Sequence, residues 1–280
     1  MSMNVYKIVT DRIIAKLKQG VVPWRKPWVN GQPPVAINWM TQKPYRGINQ
    51  WLLEPGEYAT ILQINEAGGR VKKGEKASIV VFWKWIEKED EETGEVEKIP
   101  FLRYYSVFEI NTQVEGLQSK RKPVQQFDHD PIEAGEKIVR EYVNKPEIRY
   151  APGQAYYHKG LDYISVPPLK DFPNPNEFYS VLFHEMIHST GHPDRLNRKG
   201  IATPAAFGDK DYSKEELVAE LGAAMLCSLA GIEDTTIDNS AAYIQSWINQ
   251  LENDSRLIIH AAAQAQKALN YITGNQYQAE

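Results

Sequence analysis

The sequence predicts a two-domain α+β protein. An N-terminal α/β module containing a long β-hairpin precedes a C-terminal domain in which a small sheet is followed by helices. Three observations lead there. At 280 residues the chain exceeds what one small core normally organises. Two β-branched and aromatic runs, Ala77 to Ile86 and Ile99 to Ile110, flank an acidic stretch centred on Thr93-Gly94, as strands flank a hairpin loop. Beyond the proline-rich stretch that ends at Pro175 the spacing turns helical, broken at Gly191, Gly231 and Gly274.

Taken in order, Asn4 to Gln19 sets Val5, Ile8, Val9, Ile13 and Leu17 at helical spacing, and Gly20 stops the run. Four prolines and a glycine then forbid regular structure between Val21 and Pro34. Short helices are expected at Ile48 to Leu53 and Thr60 to Glu66, the second ending at Gly68-Gly69. The hairpin follows. A polar, aperiodic stretch from Glu115 to Pro131 places the domain boundary near Gln125, giving domains 1–125 and 126–280. Ile132 to Val143 reads as a helix, and Glu147 to Tyr150, Ala155 to His158 and Asp162 to Val166 read as strands.

Composition narrows the class. With 42% hydrophobic and 24% charged residues the chain is neither disordered nor a disulfide scaffold. No apolar run is long enough to span a membrane, charges interrupt the N-terminus, and Cys227 is the single cysteine, so a reducing cytoplasm is expected. The net charge of −4 divides unevenly. Residues 1–125 hold 19 basic and 14 acidic side chains, seven of the acids in the run Glu87 to Glu97, whereas residues 126–280 hold 13 and 22. Six of seven tryptophans also lie in the first part. Flat rings among cations suit single-stranded nucleic acid. Trp24 and Trp28 with Arg25 and Lys26 between them lie on the proline-stiffened loop and are candidate DNA contacts. Arg46, Arg70, Lys72, Lys73 and Lys76 are candidate phosphate contacts. Trp39, Trp51 and one of Trp83 and Trp85 suit a core instead.

The chemistry concentrates in Asn174 to Leu196. Asn174 as N-cap, Pro175 at the first helical position and Glu177 after them start a helix that Gly191 and Pro193 end. Within it, His184-Glu185-x-x-His188 is an HExxH motif. Histidines four apart share a helix face and can bind one metal ion, with Glu185 as general base for peptide hydrolysis. The third ligand has alternatives. Asp194 completes HExxHxxGxxD where metzincins place a third histidine, although the nearest later methionine, Met225, falls inside an Ala/Leu-rich helix rather than a turn. His192 lies beyond the helix stop. Glu216 and Glu220 are four apart on the helix Asp211 to Gly231, as in gluzincins, where the first carboxylate binds metal and the second supports a ligand histidine. Ser213 as N-cap would make Glu216 a capping residue instead. Tyr157, His158, Tyr163 and Tyr212 could donate to an oxyanion, but packing suits each better.

These residues carry a resemblance. PWRKPW, YRGINQWLL, GGRVKKGEKA and VFWKW in the first part, with FHEMIHSTGHPDRL and YSKEELVAELGAA in the second, resemble the ArdC-type antirestriction proteins along nearly the whole chain. The resemblance implies a single-stranded-DNA-binding domain followed by a zincin-like metallopeptidase domain. It implies Zn2+, or another divalent transition metal, held by His184, His188 and Glu216, with Glu185 as base; the spacing leaves Glu220 or Asp194 as supporting or alternative ligand. Its implied partners are single-stranded DNA and an unidentified protein substrate, without a membrane. A DNA-masking protein with a structural metal, and a protease acting on DNA-bound proteins, are the competing functions.

Overall fold

The computed structural model describes residues 4–19, 23, 35–89, 96–120, 131–151, 153–172, 174–202, 210–232 and 241–275. It is a mixed α and β protein of two compact units, Met1–Ile13 with Val35–Pro123, and Ile14–Pro34 with Val124–Glu280. The division thus passes through the first helix, α1 (Val5–Lys18), whose Val9, Ile13 and Leu17 are buried.

In the first unit, β1 (Ala36–Asn38), α2 (Asn49–Leu52), β2 (Gly56–Ala59), α3 (Ile61–Glu66) and β3 (Arg70–Val71) precede the hairpin β4 (Ser78–Glu89) and β5 (Val96–Glu109). One turn of helix, α4 (Ile110–Gln113), leads to β6 (Val114–Glu115). The main sheet has the order β1-β2-β5-β4, with β1 and β2 parallel and the other pairs antiparallel. Two core clusters hold it. Ala36, Tyr45, Leu53, Tyr58, Val80 and Val107 form one, and Trp39, Ala59, Ile64, Ile110 and Val114 the other. Thr60 caps α3 in a reciprocal capping box with Gln63, two local bonds that the sequence order alone permits. Asn49 answers both backbone groups of Val81 at 2.8 Å, which closes part of the outer edge of β4. The hairpin strands reach further into the acidic run than expected, to Glu89 and Val96, because the backbone ladder continues irrespective of the charge it carries.

The second unit contains α5 (Pro131–Glu141), β7 (Glu147–Tyr150), β8 (Tyr156–His158), β9 (Tyr163–Val166), α6 (Pro175–Ser189), α7 (Lys199–Ala202), α8 (Lys210–Ala230), α9 (Ala241–Asn253) and α10 (Leu257–Ile272). Its sheet has the order β7-β9-β8, β7 and β9 being parallel and β8 an antiparallel edge strand. Helix α6 is enclosed, with Tyr179, Phe183, Met186 and Ile187 fully buried. Two glycines allow its neighbours this close. A Cβ on Gly135 would meet Tyr179 at 2.8 Å, and one on Gly222 would meet Ile187 at 2.7 Å. Gly222 thereby sets the spacing of α8 against α6. Gly222→Val should overpack this contact and cost roughly 1–3 kcal/mol. A urea midpoint equal to that of the wild type would show that the two helices separate freely. No helix among the described residues is long and apolar enough to cross a membrane.

Candidate metal centre

The site begins with how α6 starts and stops. Asn174 accepts the Glu177 backbone N–H at 3.0 Å and donates its side-chain amide to Glu177 Oε1 at 2.9 Å, with Pro175 at the first helical position. At the far end, Gly191 has no room for a side chain, since a Cβ would lie 2.7 Å from Ile201 and 3.1 Å from the Arg198 guanidinium. The chain reverses there, and the backbone N–H of Arg198 returns to the Gly191 carbonyl at 3.0 Å.

His184 and His188, one turn apart, bring their Nε2 atoms within 3.1 Å. From α8, Glu216 Oε2 lies 3.6 Å from His184 Nε2 and Glu216 Oε1 lies 3.4 Å from His188 Nε2. One donor atom from each of the three residues lies within 4.8 Å of the others. A tetrahedral ion with bonds of 2.0–2.1 Å holds neighbouring ligand atoms about 3.3 Å apart, so the donor set fits such an ion. Glu185 is buried, and it lines with the three donors a cleft of about 350 Å³ beside the edge strand β8.

Each histidine's remaining nitrogen faces a second glutamate. Glu220, buried one turn beyond Glu216, lies 3.9 Å from His184 Nδ1. Glu215 lies 3.3 Å from His188 Nδ1, and Arg198 grips it through Nε at 2.9 Å and Nη2 at 2.5 Å. Arg198 also donates to Thr190 Oγ1 at 2.6 Å and to the Ile187 carbonyl at 2.8 Å. Both members of the pair are buried. Sequence reading missed Glu215 and Arg198. The available clue was an acidic doublet, Glu215-Glu216, leading into the apolar face of a helix.

Burial alone lowers the pKa of His188, but hydrogen bonds to Glu215 and Glu216 and the charge of Glu185 outweigh it and push it up to about 10. Burial raises the carboxyls of Glu215 and Glu216. Arg198 and His188 overcome that for Glu215, and the two histidines for Glu216, so both are held below the usual carboxylate range. The cluster thus attracts positive charge at the point where the three donors meet.

One expectation, the start of α8, is corrected. Helix α8 begins at Lys210, because nothing between there and Ser213 breaks it, so Ser213 is no N-cap and Glu216 no capping residue. Asp194 stands apart from the donor cluster. The turn after Gly191 carries it outward, its side chain is 88% exposed, and it faces His192 instead. Met225 is buried within α8. Tyr157 does line the cleft, but its hydroxyl is occupied, donating to Asp162 at 2.7 Å and accepting from Arg195 at 3.2 Å.

Comparison with known proteins finds two family matches along the chain. Residues 3–108 match the model of the N-terminal domain of anti-restriction factor ArdC, and residues 134–264 that of a zincin-like metallopeptidase. The crystal structure of the antirestriction ArdC protein from plasmid R388, metal-free, matches with a TM-score of 0.75 at 38% identity over 98% of both chains. The chain belongs to the ArdC antirestriction family. The Mn(II)-bound structure of the R388 ArdC protein matches with the same TM-score at 36% identity. An uncharacterized protein, y4eC, of Sinorhizobium fredii is 30% identical across 99% of this chain and 94% of its own length. DNA primase TraC of Escherichia coli is 33% identical across 94% of this chain, which spans 26% of that longer protein. Membership in the ArdC family, with its zincin-like domain, implies a divalent metal.

Within the ArdC N-terminal match, the loop residues Trp24, Arg25, Lys26 and Trp28 lie outside the described residues. Arg70 pairs with Glu115 at 2.7 Å, and Lys72 donates to the Thr112 carbonyl at 2.7 Å. Lys73 and Lys76 are exposed, and Arg46 is half-buried. Trp39 and Trp51 are buried, whereas Trp83 is exposed and edge-on to Tyr6. Gly69 abuts Leu117, where a Cβ would come within 2.5 Å, and Gly68 sits in open space at φ +83°, so packing accounts for one glycine and left-handed backbone for the other.

Proposed function

We propose that this antirestriction protein binds single-stranded DNA through its N-terminal module and hydrolyses a protein at a metal site in its C-terminal module. The observation that carries the peptidase reading is the convergence of His184, His188 and Glu216 beside Glu185 in one cleft. His184, His188 and Glu216 hold the ion, zinc or another divalent transition metal such as the manganese of the R388 structure. Bound there, the ion supplies Lewis acidity that polarises a peptide carbonyl and eases deprotonation of water. Glu185 accepts that water's proton on its carboxylate and returns it to the leaving amine. Glu215 orients the His188 imidazole through its Nδ1, leaving Nε2 for the ion, and Glu220 stands 3.9 Å from Nδ1 of His184, where its charge favours the same arrangement. The edge strand β8 offers backbone groups to an extended peptide.

Two measurements test the two halves. Zn(II) or Mn(II) at a hundred times its Kd should stabilise the folded protein by about 2.7 kcal/mol, read as a raised Tm. Glu216→Ala should abolish most of that rise, and a rise unchanged by this substitution would remove Glu216 from the ligand set. The full chain should bind single-stranded oligonucleotides in preference to duplex, with affinity falling steeply as salt rises. Equal affinity for the two forms would defeat the DNA half.

A further inference from the structure

Resting on the reading that the N-terminal module takes up single-stranded DNA, we propose that bases stack on one open face of the β4–β5 hairpin, formed by Phe82, Phe101 and Tyr105 around Arg103. The strand register places these four together. Phe82 pairs directly with Arg103, Tyr105 lies opposite Val80, and Phe101 lies opposite Lys84, so all four side chains project from one side of the ribbon. Phe82, Phe101 and Tyr105 are 47%, 45% and 41% exposed. The Phe82 and Tyr105 rings meet edge to face at 5.9 Å, and the Arg103 guanidinium lies 5.7 Å from the Phe101 ring.

Single exposed apolar side chains need no explanation, but three large rings side by side on one surface mark an interaction site. The same face of the hairpin enters the core at Val80 and Val107, both 1% exposed, which anchors the rings on a firm base. The opposite face is used differently. There Val81 and Leu102 are buried, and Trp83, 40% exposed, is the one large ring left open on that face among the described residues, edge-on to Tyr6 of α1.

The charge selects the occupant. Arg103 is exposed and makes no ion pair among the described residues, so its guanidinium can meet a phosphate while the rings meet bases. Flat hydrophobic rings interleaved with a cation complement a single strand, which offers π-faces and phosphates in alternation, whereas a duplex hides its base faces. This surface adds to the loop tryptophans named from the sequence and owes nothing to them.

The test uses the full chain and a fluorescein-labelled oligothymidylate, read by anisotropy across a salt series. Phe82→Leu and Tyr105→Leu, which keep the side chain apolar and remove the π-face, should each weaken binding by roughly 5- to 150-fold. Arg103→Gln, at an exposed position that folding does not depend on, should reduce the slope of log K against log salt by about 0.7. Leu62→Ala, at an exposed position on α3, should change neither. Unaltered binding by all three hairpin variants, in a wild type that does bind, would overturn the platform and leave the DNA reading standing. A wild type that binds no single strand would remove the reading itself. Tighter binding of oligouridylate than of oligothymidylate, or a hairpin variant that changes oligomeric state but not DNA affinity, would also overturn the proposal.

Discussion

Glu185→Gln should leave metal binding intact and slow peptide hydrolysis by about 10²- to 10⁴-fold. The amide matches the carboxylate in size, so the buried position beside His184 and His188 stays filled, and none of the three converging donors is removed. What disappears is the capacity to accept a proton within the cleft. Two readouts are needed together: metal content of the purified variant, and cleavage of a denatured general protein substrate under single-turnover conditions. Metal retained with hydrolysis undiminished would remove Glu185 as the base. The same variant separates the competing functions when tested for protection of incoming DNA in a restricting host. Protection that survives the loss of hydrolysis would make the protein a DNA-masking factor. Protection lost while single-strand binding persists would tie antirestriction to cutting.

The parts of this molecule that were legible in the sequence are those whose causes are local. Asn174, Pro175 and Glu177 announce the start of α6 within four residues, and the helical period then carries His184 and His188 to one face without reference to the rest of the chain. The capping box of Thr60 and Gln63 is equally self-contained. Features that depend on distant partners were harder to read. The length of the β4–β5 ladder depends on pairing between strands, so an acidic composition concealed several paired residues. Alternation along that hairpin implied two faces, but which rings stand open on each depends on partners elsewhere in the chain, such as Tyr6 of α1 edge-on to Trp83. Arg198 reaches Glu215 where the turn after Gly191 folds back, the missing Cβ at that glycine leaving room for Ile201 and the guanidinium, and no spacing between the two charged residues reveals it. That Glu216 rather than Asp194 lies beside the two histidines likewise depends on the packing of α8 on α6, where Gly222 abuts Ile187.

Arg198→Ala should destabilise the second unit by about 3–5 kcal/mol, because it strands the buried Glu215 carboxylate that the guanidinium now holds with two hydrogen bonds. The same change frees the Thr190 hydroxyl and the Ile187 carbonyl of their partner at the end of α6. Glu215 is held below its ordinary pKa of 4.5, so its contribution is complete above that value and is lost as pH falls through the lower folded value. The deficit of Arg198→Ala should accordingly be full at neutral pH and shrink in acid. Stability and metal binding can then be separated. The double variant Arg198→Met with Glu215→Leu replaces the ion pair by apolar side chains of similar volume and should recover most of the lost stability. It should not recover metal affinity, since His188 Nδ1 has lost its acceptor, a loss worth about 10- to 100-fold. Urea midpoints for the metal-free proteins and competitive titration with a zinc chelator give the two quantities independently. Wild-type metal affinity in a stable double variant would show that Glu215 serves the fold alone and that Glu216 and the two histidines are oriented without it.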